Sequence, residues 1–114
     1  MKNRLYILKT PFKDAALSDA DYFCWTCVLL EGVISQFPDL EHQLTIHRVG
    51  FDRPRHNVIE EVGEDNQSLP MLVLEDNSLK GFETGVINGN RFIKGREAIL
   101  DALHQAYGIP IVHP

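Results

Sequence analysis

Cysteine is scarce in this sequence, long apolar runs are absent, and basic residues are never concentrated. The 114 residues include only two cysteines, too few for the four ligands that a zinc site usually needs, and no two of the five histidines lie close in the sequence. No apolar run approaches the roughly 20 residues of a membrane-spanning helix. The net charge of −5 is spread along the chain, which argues against a nucleic-acid surface and against attraction to an anionic membrane.

Motifs for nucleotide binding and serine hydrolysis are also missing. Gly81, Gly85 and Gly89 do not follow a strand into a helix, so they do not form a phosphate-binding loop. No serine hydrolase elbow occurs. The apolar stretch at the N-terminus breaks at Lys9, which makes it shorter than a signal-peptide core. We therefore expect a cytoplasmic protein that forms a single domain over residues 1–114.

Both cysteines lie in one motif, Cys24-Trp25-Thr26-Cys27. The apolar residues after it predict a helix that begins at Cys24 and runs to about Phe37, where Pro38 stops it. Residues three apart share one helical face, which is close enough for a disulfide. The free N–H groups of a helix start stabilise a thiolate, so Cys24 is expected to be the reactive sulfur and Cys27 its buried partner. In a reducing cytosol such a pair is more typical of redox or metal chemistry than of a permanent crosslink.

The rest of the chain alternates between strand and helix patterns. We predict an α/β fold in the order β-α-β-α-β-β-α, with a mixed four-stranded sheet covered by helices. The predicted strands are residues 4–9, 44–49, 71–74 and 91–94, and the predicted helices are 24–37, 54–62 and 96–107. Residues 10–21 are predicted to be a loop. The register of the last strand stays open, because residues 76–95 contain two turn signals, Asp76-Asn77-Ser78 and Asn88-Gly89.

Three features together resemble the thioredoxin-like superfamily, nearest to its glutaredoxin-like members. They are the Cys-x-x-Cys motif after the first strand, Ser68-Leu69-Pro70 before the third strand, and Asn88-Gly89, Phe92-Ile93 and Gly95 before the last helix. The resemblance covers nearly the whole chain and is closest to a group of uncharacterised bacterial thioredoxin-like proteins. These share the cysteine motif, a Leu-Glu-Gly after it, and the Ser-Leu-Pro. The resemblance brings no established substrate with it.

The resemblance implies a thiol–disulfide oxidoreductase in which Cys24 attacks a disulfide and Cys27 releases the product. It also implies that Pro70 is cis and faces the cysteines, so that Ser68, Leu69 and Pro70 meet the main chain of a substrate. The partner would be a protein or small-molecule disulfide or thiol. No cofactor is expected, although glutathione is a possible co-substrate. The chain departs from glutaredoxins in its longer loop before the motif and in the Trp-Thr dipeptide inside it.

Two further features have alternative interpretations. Trp25 either stacks on a substrate and shields the sulfurs, or packs on the long loop against Phe12 or Tyr22. Arg53 and Arg55 either hold a glutathione carboxylate or belong to a solvated helix start.

Two functions compete with the oxidoreductase. One is a non-catalytic binding module on the same fold, since fold does not dictate function. The other is a metal or iron–sulfur carrier in which two chains share a site through their Cys-x-x-Cys motifs. The oligomeric state, the substrate, the electron donor and the redox potential do not follow from the sequence.

Overall fold

The computed structural model describes all 114 residues, and its elements follow the alternating pattern of the sequence. The strands are β1 (Arg4–Leu8), β2 (Phe12–Lys13), β3 (Asp21–Tyr22), β4 (Thr45–Val49), β5 (Met71–Leu74), β6 (Gly85–Ile87) and β7 (Asn90–Lys94). The helices are α1 (Trp25–Gln36), α2 (Leu40–Gln43), α3 (His56–Val62) and α4 (Arg96–Tyr107). A short 3₁₀ turn, Glu64–Asn66, follows α3. None of the helices has the length and apolar character that crossing a bilayer requires.

The main sheet is mixed and has five strands in the order β4-β1-β5-β7-β6. β1 and β4 are parallel, as expected of strands joined through a helix, whereas β5 is antiparallel to β1 and β7 is antiparallel to β5. The predicted α/β class and mixed sheet are therefore confirmed. The predicted number of four strands is wrong, because Asn88 and Gly89 take positive φ angles of 51° and 82° and turn the chain into a hairpin that adds β6 at the edge.

Three other elements differ from the sequence prediction. The expected loop 10–21 contains a small ribbon, in which β2 and β3 pair through Phe12 and Tyr22. The chain after Pro38 forms the short helix α2 before β4, because Leu40 is buried against the core and anchors it there. The helix predicted from Pro54 begins instead at His56.

The core lies on both faces of the sheet, because the central strands are covered on each side. On one face, Leu5 and Ile7 of β1 pack in the larger cluster with buried residues of α1 and α4. On the other face, Tyr6 packs in a second cluster with Val58 and Val62 of α3. All four residues of β5 are buried, which matches its uninterrupted apolar sequence. This layering places the start of α1 beside the end of β1.

Candidate functional site

Cys24 is the N-cap residue of α1, and its side chain closes the first turn. The residue has extended backbone angles (φ −79°, ψ 113°), and its Sγ accepts a hydrogen bond of 3.2 Å from the backbone N–H of Cys27. Sulfur therefore takes the place of the oxygen that usually satisfies a free N–H at a helix start. Cys24 is partly exposed, and neither cysteine forms a disulfide. The predicted helix start at Cys24 is confirmed to within one residue.

Cys27 is the buried member of the pair, as predicted. Its exposed fraction is 0%, and its Sγ accepts a 3.4 Å hydrogen bond from the backbone N–H of Leu8. Burial, followed by the hydrogen bond with Cys24, raises the pKa of the Cys27 thiol to about 12, although the Leu8 N–H and the charge of Arg55 act in the opposite direction. At neutral pH Cys27 is therefore a protonated thiol.

Arg55 is the N-cap residue of α3 and is buried. Its exposed fraction is only 5%. The guanidinium donates to the carbonyl of Phe51 from Nε (3.0 Å) and from one terminal nitrogen (2.7 Å), and to the carbonyl of Gln67 from the other (2.7 Å). Negative charge on Cys27 or Cys24 raises the pKa of Arg55, and the charge of Arg55 lowers the pKa of Cys27. Burial is the main cause that lowers the pKa of this guanidinium, followed by the charge of Arg53.

Phe51 connects this arginine to the loop that precedes the cysteines. Arg55 lies over the Phe51 ring at 5.3 Å from its centre, and Phe51 stacks on Phe12 with ring centres 4.4 Å apart and an interplanar angle of 4°. Phe51 and Cys24 both pack against the larger core cluster. The long loop is thus tied to the segment before α3 by an aromatic pair.

The Ser68-Leu69-Pro70 segment leads directly into β5. The Leu69–Pro70 peptide bond is cis, which confirms the isomer implied by the family resemblance. Pro70 is buried, Leu69 is half-buried against both core clusters, and Ser68 is exposed. Gln67 lies immediately before this segment and accepts two hydrogen bonds from Arg55. The Arg55 guanidinium donates to the backbone carbonyl of Gln67, and the Arg55 backbone N–H donates to the Gln67 side-chain oxygen (2.8 Å). The residue before this segment is therefore tied to Arg55, whose charge also lowers the pKa of Cys27.

Trp25 points away from the long loop. Its exposed fraction is 64%, and the guanidinium of Arg96 lies over its ring at 4.1 Å from the centre. Phe12 stacks on Phe51 instead, and no stacked aromatic pair joins Trp25 to Phe12 or Tyr22. Trp25 borders a groove of about 460 Å³ between α1 and α4, which Leu29, Leu100 and Ile111 also line. An exposed aromatic ring next to Cys24 remains available for stacking on a ligand.

The two arginines before α3 occupy opposite environments. Arg53 is exposed, which agrees with both interpretations of the basic cluster. Arg55 fits neither interpretation of the basic cluster, because it is buried. The burial of Arg55 was not predicted, because no sequence pattern identifies Phe51 and Gln67 as its hydrogen-bond partners. No group of three or more His, Cys, Asp or Glu side chains in the chain is arranged to hold a metal ion.

The comparisons with known proteins add a family and no activity. No curated protein and no solved structure matches the chain. The sequence profile of one family matches residues 2–111, which is nearly the whole chain and includes the cysteine motif, Arg55 and Pro70. The chain therefore belongs to the family described as protein of unknown function (DUF3088).

Proposed function

We propose that the protein is a thiol–disulfide oxidoreductase of thioredoxin-like fold that uses Cys24 and Cys27 as its dithiol pair. The observation that carries the proposal is the first turn of α1, where a partly exposed Cys24 sulfur accepts the N–H of a buried Cys27. This gives one accessible sulfur whose negative charge a helix start stabilises, and one protected sulfur a turn away. The parallel β1–β4 pair, the antiparallel β5–β7 pair and Pro70 ahead of β5 agree with the proposed fold.

The proposed reaction moves two electrons from the cysteine pair to a disulfide. The Cys24 thiolate attacks one sulfur of the substrate disulfide, forms a mixed disulfide, and displaces the other sulfur as a thiolate that takes a proton from water. The Cys27 sulfur then attacks the Cys24 sulfur and forms the Cys24–Cys27 disulfide, while its proton passes to the second substrate sulfur, which leaves as a thiol. The substrate is reduced to two thiols, and the protein dithiol is oxidised to a disulfide.

The substrate class is a protein or small-molecule disulfide. Ser68 and Leu69 offer backbone groups to the main chain of such a substrate, beside Pro70, and Trp25 offers an exposed ring for stacking. A thiol reductant, of which glutathione is one example, would return the pair to the dithiol. A cytoplasmic location supplies such reductants.

The test is reduction of a small model disulfide with dithiothreitol as the final electron donor. We expect Cys24→Ser to abolish turnover, because it removes the attacking sulfur. When Cys27→Ser is incubated with the disulfide in the absence of dithiothreitol, it should stop after the first step and accumulate a mixed disulfide on Cys24, which intact-mass measurement detects. The matched control is Ser35→Ala, an exposed position on the same helix, which should leave turnover unchanged.

Three results would overturn the proposal. A Cys24→Ser protein as active as the wild type would exclude Cys24 as the nucleophile. An inactive wild-type protein that alkylates slowly at both cysteines would indicate a binding module instead. If the freshly purified protein carries iron and absorbs visible light, the dimeric carrier is the better description, and elemental analysis decides this directly.

A further inference from the structure

We propose that Arg55 is a positioning residue whose buried guanidinium supplies the counter-charge for negative sulfur in the Cys24–Cys27 pair. The inference rests on the proposed function and deepens it, because it names the group that sets the balance between the dithiol and the disulfide. Arg55 itself contacts no reacting atom in the proposed steps, and it acts through the two sulfurs.

Arg55 is a buried cation without a carboxylate partner. It is 5% exposed, and no Asp or Glu oxygen lies within ion-pair distance of its guanidinium. Buried charges are normally paired, because removing an ion from water is costly. Arginine also does not lose its proton under ordinary conditions, so the charge persists. Arg55 differs in this from Arg4, which is partly buried and pairs with Glu61 and Glu75.

The hydrogen bonds of the Arg55 guanidinium all go to uncharged groups. Its five N–H groups make three bonds, all to the neutral carbonyls of Phe51 and Gln67. These bonds orient the group but leave its positive charge without a compensating negative one. Two N–H groups remain for another acceptor. The arrangement holds a cation in place without neutralising it.

Few of the groups around Arg55 can carry a negative charge that water does not screen. Negative charge on Cys27, Asp52 or Cys24 raises the pKa of Arg55, and the charge of Arg53 lowers it. Asp52 is exposed, so water screens its charge, and Arg53 is itself a cation. The two sulfurs lie against the same core cluster as Phe51, on which Arg55 rests. A thiolate in the cysteine pair is therefore the negative charge that this site can accommodate.

The consequence is a shift of the redox equilibrium toward the dithiol. A thiolate exists only in the reduced form, so a fixed positive charge beside it stabilises that form over the disulfide. Removal of the charge should shift the equilibrium constant with glutathione toward the Cys24–Cys27 disulfide by about tenfold, which corresponds to about 30 mV. The same change should slow alkylation of Cys24 by a few-fold at neutral pH.

The experiment compares Arg55→Met and Arg55→Lys in the full-length protein. Both variants lose the paired carbonyl bonds, and only Lys keeps the charge. We expect the tenfold shift in Arg55→Met and a value within about twofold of the wild type in Arg55→Lys, although both unfold at lower denaturant concentration. Arg48→Met, which removes an exposed arginine of β4, is the control and should not move the equilibrium. Equal equilibrium constants in the Met and Lys variants would overturn the inference and leave Arg55 as a structural clamp.

A measurement on the wild type covers the case in which Arg55→Met does not fold. The Nε–H resonance of Arg55 should move more with rising pH in the reduced protein than in the oxidised protein, because only the reduced form has sulfurs that can carry negative charge. Oxidation changes only the two sulfurs among the charged groups around Arg55, so the difference between the forms isolates the sulfurs. A resonance that moves equally in both forms overturns the inference.

Failure of this inference is distinguishable from failure of the proposed function. If the wild type forms the disulfide and reduces substrates while Arg55→Met has an unchanged equilibrium, only the role of Arg55 is lost. If the wild type forms no Cys24–Cys27 disulfide, the proposed function fails. The Arg55 resonance in the reduced protein then still reports whether the guanidinium interacts with a thiolate.

Discussion

The backbone N–H of Leu8 donates a 3.4 Å hydrogen bond to the sulfur of Cys27, which joins the end of β1 to the first turn of α1. This contact makes Cys27 part of the sheet-to-helix junction as well as part of the cysteine pair. Cys24 has no comparable contact with the sheet, and its sulfur binds only within its own turn. The two cysteines therefore differ in environment although they are three residues apart.

We predict that a limiting amount of iodoacetamide modifies Cys24 and spares Cys27 in the folded, reduced protein. Cys24 is partly exposed, whereas Cys27 is buried and burial raises its pKa to about 12. Only thiolates react, so the rate at Cys27 should be lower by at least about tenfold. Peptide mapping by mass spectrometry measures both rates. In denaturant the two rates should become similar, and similar rates already in the folded protein would contradict the burial of Cys27.

The second prediction concerns stability at alkaline pH. The pKa of Cys27 is raised from 9.0 to about 12, and burial, followed by the hydrogen bond to Glu61, raises that of Tyr6 from 10.0 to about 12. Both groups stay protonated in the folded state while they ionise in the unfolded state. The unfolded state then binds fewer protons, so the free energy of unfolding should be unaffected below the ordinary values and should fall as pH rises toward 12.

Urea denaturation followed by circular dichroism at a series of pH values measures this decline. Oxidation to the disulfide removes the contribution of Cys27, and Tyr6→Phe removes that of Tyr6 at a cost of about 1 kcal/mol at neutral pH for the lost hydrogen bond to Glu61. Each change should make the decline shallower, by up to about 1.4 kcal/mol per pH unit. A decline that neither change alters would show that other groups cause it.

The third prediction uses Trp25, the single tryptophan of the chain, as its own reporter. The guanidinium of Arg96 covers one face of its ring at 4.1 Å, and such contacts contribute about 0.5–1 kcal/mol at exposed sites. Arg96→Ala should therefore increase quenching of the Trp25 fluorescence by acrylamide and lower stability by less than about 1 kcal/mol. Arg96→Lys keeps a cation, so its acrylamide quenching should lie between that of the wild type and that of Arg96→Ala. Quenching that is identical in all three proteins would mean that Arg96 does not cover the ring in solution.

Elements with strong local signals were predictable from the sequence. The N-cap at Cys24 and the end of α1 before Pro38 depend on neighbouring residues, because capping and helix termination are local effects. The strand β5 is apolar at every position and lies in the middle of the sheet, so its pattern matches its burial. The register of β7 follows from the Asn88-Gly89 turn once the hairpin is recognised.

Features that depend on distant partners were not predictable. Asn3 is buried because its side chain binds Ser78 and Tyr107, which lie 75 and 104 positions away in the sequence. The burial of Arg55 likewise depends on a carbonyl at Gln67, 12 residues later. A charged or polar residue in a short polar segment looks like surface, and only the folded chain shows where its hydrogen bonds are satisfied. The role proposed for Arg55 therefore required the structure.

The fourth prediction tests the edge strand β6, which the sequence pattern alone did not reveal. Gly85 lies opposite Phe92 of β7, and a Cβ at Gly85 would overlap the Phe92 ring. Gly85→Ala should therefore displace β6 or the ring and lower the free energy of unfolding by about 1–3 kcal/mol. Chemical denaturation measures this loss, and amide hydrogen exchange should show faster exchange confined to β6 and its partner.

A matched glycine gives the opposite sign for the same chemical change. Gly32 is exposed within α1, and a Cβ added there would meet only open space, so Gly32→Ala should raise stability by about 0.5–1 kcal/mol through the higher helix propensity of alanine. The double variant Gly85→Ala/Phe92→Leu should recover part of the loss, because the smaller side chain gives the new methyl group room. If Gly85→Ala is as stable as the wild type, Phe92 does not cover Gly85, and β6 pairs with β7 in a different register.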